Sequence, residues 1–359
     1  MNWIHDWALV RQSELAYIGS EKLNINPEFL KNLTHEEFES AFRFIGEIIY
    51  KIYGDIADDP EKFGLPVYET DKYGYASNEA RISWRAPWEP IRVLMYIFLS
   101  GILNNTVLAV DATKFKELTN LKGVNKITNI NKKIEALTDY GFVITGLKNH
   151  KITSSTTTFD VEYPDNPDVL TVLKLAAEKS YQFSNELSYY SNTFYSWNPR
   201  ILYDEDINDF NTIYDKMKND ADRKFVGDFH ELLISEGYSF EENNWNEGPG
   251  IRYHKRSVSE PYTFRLLKNK FELQLMARIR NAEKCLEYVE SCPESVKDIF
   301  RSTNNGCANK HKGCNKGVGY VFEGEEKWKC GCCNAPFVFH PVIEDIPHYL
   351  KLIELGKNK

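Results

Sequence analysis

The run Ile134-Glu-Ala-Leu-Thr-Asp-Tyr-Gly-Phe-Val-Ile144 decides how the middle of this chain is read. Ile134 and Leu137 recur at helical spacing, and Tyr140-Gly141 closes the helix, because glycine accepts the left-handed backbone that ends one. Phe142 to Leu147 then reads as a strand, so helix passes to strand with almost no loop. Working outward, Thr128 can cap this helix and Lys122-Gly123-Val124-Asn125 supplies turn chemistry before it. A short helix from Thr113 to Leu118 precedes the turn. Ahead of that, Ile91 to Leu103 reads as a buried helix ended by Asn104-Asn105. On the other side the polar loop Lys148 to Ser155 leads to a second strand, Thr156 to Tyr163. Three helices and a hairpin result.

This order over residues 88–163 resembles the winged helix-turn-helix superfamily and covers about a fifth of the chain. The resemblance implies a third helix that enters the major groove of double-stranded DNA and a wing that touches its backbone. Carried onto this sequence, it places Asn129, Asn131, Lys132 and Lys133 at the groove, and Lys148 and Lys151 in the wing. From Asp111 to Lys151 eight lysines face four acids, a local balance of +4 in a chain whose net charge is −8. Lysines neutralise phosphates and drive non-specific affinity. Arginine, the commonest partner of guanine edges, is missing from the third helix, which argues against strong sequence readout.

The flanks add helices first and strands later. Thr34 and Glu37 have capping-box spacing, and Phe38, Phe42, Ile45, Ile49, Ile52 and Tyr53 make one apolar stripe. Tyr68 to Trp88 interleaves Tyr73, Tyr75, Trp84 and Trp88 with Arg81 and Arg85, a pattern of anchoring aromatics or of stacking on a ligand. Val169 to Tyr181 and Phe225 to Gly237 read as amphipathic helices. Tyr262 to Leu267 and Phe271 to Leu275 alternate as a hairpin. A helix from Ala282 to Phe300 bends at Pro293, two strands surround Gly324, and a helix beginning at Glu344-Asp345 ends at Gly356. The expected class is α+β: a mostly helical N-terminal half containing the winged-helix-like unit, then an α+β domain with a small antiparallel sheet. The expected divisions are a helical region 1–87, the winged-helix-like domain 88–182, a connection 183–222 and the C-terminal domain 223–359.

Five cysteines fall within 27 residues: Cys307, Cys314, Cys330, Cys332 and Cys333. Zinc takes four ligands in a tetrahedron, and soft thiolates from two loops satisfy it. Cys307 and Cys314 form one pair, and Cys330 and Cys333 the other, with strand-like sequence between them. Cys332 could replace Cys333, and His311 or His340 could replace one thiolate. Structural zinc is the expected cofactor. A catalytic zinc would need a nearby base, for which Glu323, Glu325 and His340 are nominal candidates. Cys285 and Cys292, seven apart, read as small core residues, and His230 and His254 as satisfied surface or boundary residues.

No run is long and apolar enough for a membrane span, and the first residues lack a secretory pattern. The seven cysteines therefore read as reduced or metal-bound in the cytoplasm. Phosphate-loop, nucleotide and nucleophile-elbow motifs are missing. Three functions compete. The first is a DNA-binding transcriptional regulator whose zinc-stabilised C-terminal domain senses a small molecule or mediates assembly. The second is a non-enzymatic interaction or scaffold protein that uses the winged helix for packing, distinguished by a covered third helix. The third is a metal- or thiol-dependent enzyme.

Overall fold

A computed structural model describes residues 3–18, 22–65, 83–120, 127–183, 194–203, 210, 214–215, 217, 219–245, 248–255, 264–268, 273–302, 317–329 and 337–356. The chain divides into two compact units, Met1–Asn208 and Asp209–Lys359. Helices combine with small antiparallel sheets, so the class is α+β.

The first unit is organised by α1 (Trp3–Ser13) and the 24-residue α2 (His35–Asp58). At the start of α2 the Thr34 hydroxyl accepts from the Glu37 amide at 3.2 Å, and the Glu37 carboxylate accepts from the Thr34 amide at 2.8 Å. Two of the backbone donors orphaned at a helix start are thereby paired. Phe38, Phe42, Ile45, Ile49, Ile52 and Tyr53 are wholly buried. Trp197 stacks on Phe42 with ring centroids 4.5 Å apart and donates its indole N–H to the Phe42 carbonyl at 2.8 Å.

Next come α3 (Glu89–Ser100), β1 (Gly101–Asn104), β2 (Val107–Asp111), α4 (Ala112–Thr119), α5 (Ile130–Leu137), β3 (Val143–Thr145), β4 (Thr158–Glu162) and α6 (Asp168–Phe183). Helix α3 is buried on nearly every side, from Pro90 through Phe98. A helix with no polar face must lie between layers. It stops at Ser100, short of Leu103, and residues 101–104 pair with β2 as an edge strand, Ile102 opposite Ala109. The sheet order is β1-β2-β4-β3, all antiparallel. Leu108, Val110, Phe159, Val161 and Ile144 line its buried face. One continuous core runs from Ile4 to Leu202, so residues 1–87, residues 88–182 and the described start of the connection share it. Neither α2 nor α3 could bury its apolar surface without the other segments.

The second unit contains α7 (Asp220–Ser235), β5 (Ser239–Trp245), β6 (Gly248–His254), β7 (Phe264–Lys268) and β8 (Leu273–Ala277). After them come α8 (Leu286–Glu290), α9 (Glu294–Arg301), β9 (Val318–Phe322), β10 (Glu325–Lys329), β11 (Phe337–Phe339) and α10 (Ile346–Leu355). Its five-stranded sheet runs β11-β8-β7-β6-β5, while β9 and β10 form a separate hairpin. The expected long helix is broken by Ser291 to Pro293 into α8 and α9, since proline has no amide to continue the ladder. Phe225, Val226, Phe229 and Leu233 of α7 and Tyr349, Leu352 and Ile353 of α10 belong to one core with Leu275 and Ile251.

His230 of α7 is stacked on Phe210, centroids 3.7 Å apart, with its Nδ1 3.0 Å from the Tyr253 hydroxyl. Burial among these rings pushes its pKa down to about 4. An unfolded imidazole titrates near 6.5, so the unfolded chain binds the extra proton first. Stability from the neutral ring is therefore complete above about pH 6.5 and is lost as the pH falls toward 4. Urea midpoints of the wild type should decline across that window, and His230→Gln should decline less; identical pH profiles would refute the assignment.

Candidate functional site

The surface expected to meet a duplex is built around α5. Asn129 stands at its start in the left-handed conformation, φ 49° and ψ 40°, and donates from Nδ2 to the Gly64 carbonyl at 2.7 Å. Gly64 is also left-handed, at φ 65°, and a Cβ there would lie 2.6 Å from the Asn129 Cβ. The Lys132 ammonium reaches the Glu61 carbonyl at 3.4 Å. Further along, Lys62 pairs with Asp139 at 2.9 Å, and the Tyr140 hydroxyl donates to Asp55 at 2.7 Å. Residues 55–64 therefore follow the helix from its first residue to the turn after its last. They bring Asp55, Asp58, Asp59 and Glu61 to that flank, charges that repel phosphate.

The remaining groove candidates are also engaged. Lys133 has no exposed side-chain surface; its ammonium contacts the Glu89 carboxylate at 3.0 Å and donates to the Thr128 carbonyl at 2.6 Å. Burial lowers its pKa, against the opposing pull of Glu89. A side chain so enclosed cannot touch a base; the winged-helix resemblance placed it at the groove, whereas the fold gives this lysine the burial that lysines rarely have. Asn131 accepts from the Ile152 amide at 3.0 Å and so ties the helix to the wing segment. Asn129, Lys132, Lys148 and Lys151 are exposed, and the last two are bridged across Asn149 and His150, whose φ values of 52° and 53° make a tight reverse turn.

Two open grooves lie on the first unit. One of about 410 Å³ sits between α4, the start of α5 and residues 152–154, lined by Lys116, Asn120, Asn131 and Ser154 among others. The other, of about 530 Å³, is lined by His35, Glu39 and Arg43, which are ion-paired among themselves. The first is lined by no carboxylate, imidazole or thiol, while Glu36 and Ser40 also line the second.

In the second unit Cys307, Cys314, Cys330, Cys332 and Cys333, with His311, lie outside the described residues. What is described is the frame they hang from. In the β9–β10 hairpin Val318 pairs with Lys329, so the chain enters at Gly317 and leaves toward residue 330 at the same end. A Cβ on Gly317 would fall 2.0 Å from the Trp328 ring, so only glycine permits this closure. Lys329 is 2% exposed, donates to the Ser302 hydroxyl at 2.7 Å, and lies 5.7 Å from the Phe337 ring centroid. Phe337 packs on Phe300 at 4.9 Å. The four flanking points, Ser302, Gly317, Lys329 and Phe337, are thus gathered at one end of the hairpin. Cys314 precedes Gly317 by three residues, a reach of at most about 11 Å.

The nominal bases are elsewhere. Glu323 occupies the hairpin turn and is held by Arg301 at 2.7 Å, while Glu325 pairs with Lys327. A five-residue strand spans about 17 Å, and Glu323 and Glu325 stand at the turn end of the hairpin. His340 is exposed beyond β11. Cys285 and Cys292 are buried free thiols. Burial pushes Cys285 up to about 12 and raises Cys292, with Asp345 adding to the latter. Cys292 lies 3.5 Å from His348 Nδ1, but that nitrogen also meets the Tyr288 hydroxyl at 2.8 Å. Thiols held protonated are poor nucleophiles. Among the described residues no three His, Cys, Asp or Glu side chains converge as metal ligands, and no helix is long and apolar enough to cross a membrane.

No protein-family model, curated protein or solved structure matches the chain.

The Lys133–Glu89 pair gives a direct check on the covered helix. Glu89→Ala leaves a buried ammonium without its carboxylate and should cost about 3 kcal/mol or more, whereas Lys133→Met, which removes the charge and keeps the stem, should cost far less. Urea unfolding of the two variants decides; equal losses would mean that the ammonium is solvated.

Proposed function

We propose that this protein is a non-enzymatic interaction protein in which the winged-helix-like unit is a packing core and the C-terminal unit is stapled by structural zinc. The observation that carries the first half is residues 55–64 lying along α5, with Lys133 enclosed. A recognition helix must offer its first turns to base edges, and here those turns are bonded to Gly64, Glu61, Glu89 and Ile152. The zinc half is supported by the gathering of Ser302, Gly317 and Lys329 at the hairpin end, where the cysteine segments start and finish. Cys307, Cys314, Cys330 and either Cys332 or Cys333 are the proposed ligands. The free thiols Cys285 and Cys292 fit a reducing compartment, and the cytoplasm is the proposed location. The partner we propose is another protein, with a small-molecule ligand as the other candidate.

A second reading has one observation behind it. The exposed Lys148 and Lys151 at the tip of the wing could touch a nucleic-acid backbone without any base contact. A salt titration of duplex binding separates the two. Two phosphate contacts would give a slope of log affinity against log salt near −1.8, abolished in the Lys148→Ala, Lys151→Ala double variant. The packing reading expects no measurable binding at low salt. Nanomolar binding that is sequence-specific and lost in Lys132→Ala would overturn it and restore a regulator that reads DNA.

Metal analysis tests the zinc. Protein purified without chelator should carry about one equivalent. Separate Cys332→Ser and Cys333→Ser variants should show one that keeps the metal and one that loses it. Less than half an equivalent in the wild type discredits the site.

A further inference from the structure

Lys116 of α4 is a cation held in place by neutral oxygens. Its ammonium donates to the Thr156 carbonyl at 2.7 Å and to the Ser154 carbonyl at 3.4 Å, and an ammonium has three N–H donors, so one is left over. Lys116 lines the groove of about 410 Å³ between α4, the start of α5 and residues 152–154, and no carboxylate is among the described residues that line it. The asparagines of the same groove have their ends fixed by their partners. The Ile152 amide can only donate, so the Asn131 atom that faces it at 3.0 Å is the oxygen, and the Asn131 NH2 is left over. Asn129 is turned the other way, its NH2 on the Gly64 carbonyl at 2.7 Å, and Asn120 gives its NH2 to the Lys116 carbonyl at 2.7 Å. The spare donors are thus those of Lys116 and Asn131. Both are fastened to one short segment, at Ser154 and at Ile152, anchors no more than about 7 Å apart. Phe115, Ile127, Ile130 and Ile152 supply apolar surface to the same groove.

We infer that this groove binds a small aromatic oxyanion, a molecule whose phosphate or carboxylate meets the Lys116 ammonium and the Asn131 NH2 and whose ring lies against the four apolar side chains. An oxyanion with a hydrogen bond on either side bridges a span of that size, and hydrogen bonds to a charged acceptor are the strong ones. An acid in the lining would repel such a ligand, and there is none among the described residues. A pocket of a few hundred cubic ångströms with an apolar floor and a few convergent polar groups is the ordinary form of a small-molecule site. The ammonium is also set in advance, because two carbonyls of the wing segment fix it before any ligand arrives. Neither the zinc half nor the packing half of the proposed function is needed for this site.

Phenyl phosphate and benzoate, titrated separately into the full chain with backbone amide chemical shifts as the readout, test the site. For probes of so few atoms a dissociation constant of about 1 mM is expected for at least one of them, with saturable shifts at Lys116, Asn131 and Ile152. Inorganic phosphate, which lacks the ring, and phenol, which lacks the anion, should each bind about tenfold more weakly or less well still. Asn131→Asp keeps the oxygen that accepts from Ile152 and sets a carboxylate where the anion would lie, so affinity for the better probe should fall about tenfold or more. Should that variant not fold, Lys116→Met is read in its place: it should lose a similar factor, and Lys116→Arg should regain most of it. The Lys148→Ala, Lys151→Ala double variant should bind as the wild type does. Shifts that saturate with neither probe overturn the site, and so does unchanged affinity in Asn131→Asp, or in Lys116→Met where that variant is the one read. Binding lost only in the Lys148→Ala, Lys151→Ala variant overturns it as well and gives the anion to the tip of the wing.

Discussion

Gly64 and Asn129 touch at a distance that leaves no room for a side chain on residue 64, and both residues stand in the left-handed region. The placement of α5 in the middle of the chain depends on that contact. It fixes the end of the segment that follows α2 against the start of α5, and the ion pair of Lys62 with Asp139 and the hydroxyl of Tyr140 on Asp55 fix the rest. A helix in this position is a seam between parts of one core. Of the lysines along residues 111–151, Lys133 is neutralised by Glu89 and Lys132 reaches the Glu61 carbonyl, so part of a favourable local charge in sequence is answered in space by residues some forty to seventy positions earlier.

Such cancellation marks the limit of what periodicity can reveal. Helix α2 was legible because its cap and its stripe are local features, three and four residues apart. The turn at Gly141, with φ 91°, and the hairpins that follow it and Gly324 were legible for the same reason. Gly101 to Leu103 reads as helix in sequence because Ile102 and Leu103 continue an apolar run; pairing with β2 overrides that run, and Ile102 ends 70% exposed on the sheet edge. Strands β5 and β6 went unread since Asn, Glu, Gly and Pro are weak strand formers, and they form by pairing with each other and with β7. Burial of Lys133 had no local sign whatever. Its partner Glu89 is 44 residues away in sequence, and an IxxKxE-like surface pattern looks the same whether or not another helix covers it.

The two buried lysines show how a charge can report on what surrounds it. Lys133 and Lys329 are both enclosed, both donate to one oxygen, and both have their pKa lowered by desolvation. Lys133 is accounted for by Glu89, and its role ends with fastening α5 to α3. Lys329 donates to the neutral Ser302 hydroxyl, and burial lowers its pKa to about 8, so enclosure beside a neutral partner moves this lysine toward its uncharged form where Glu89 holds Lys133 toward its charged one.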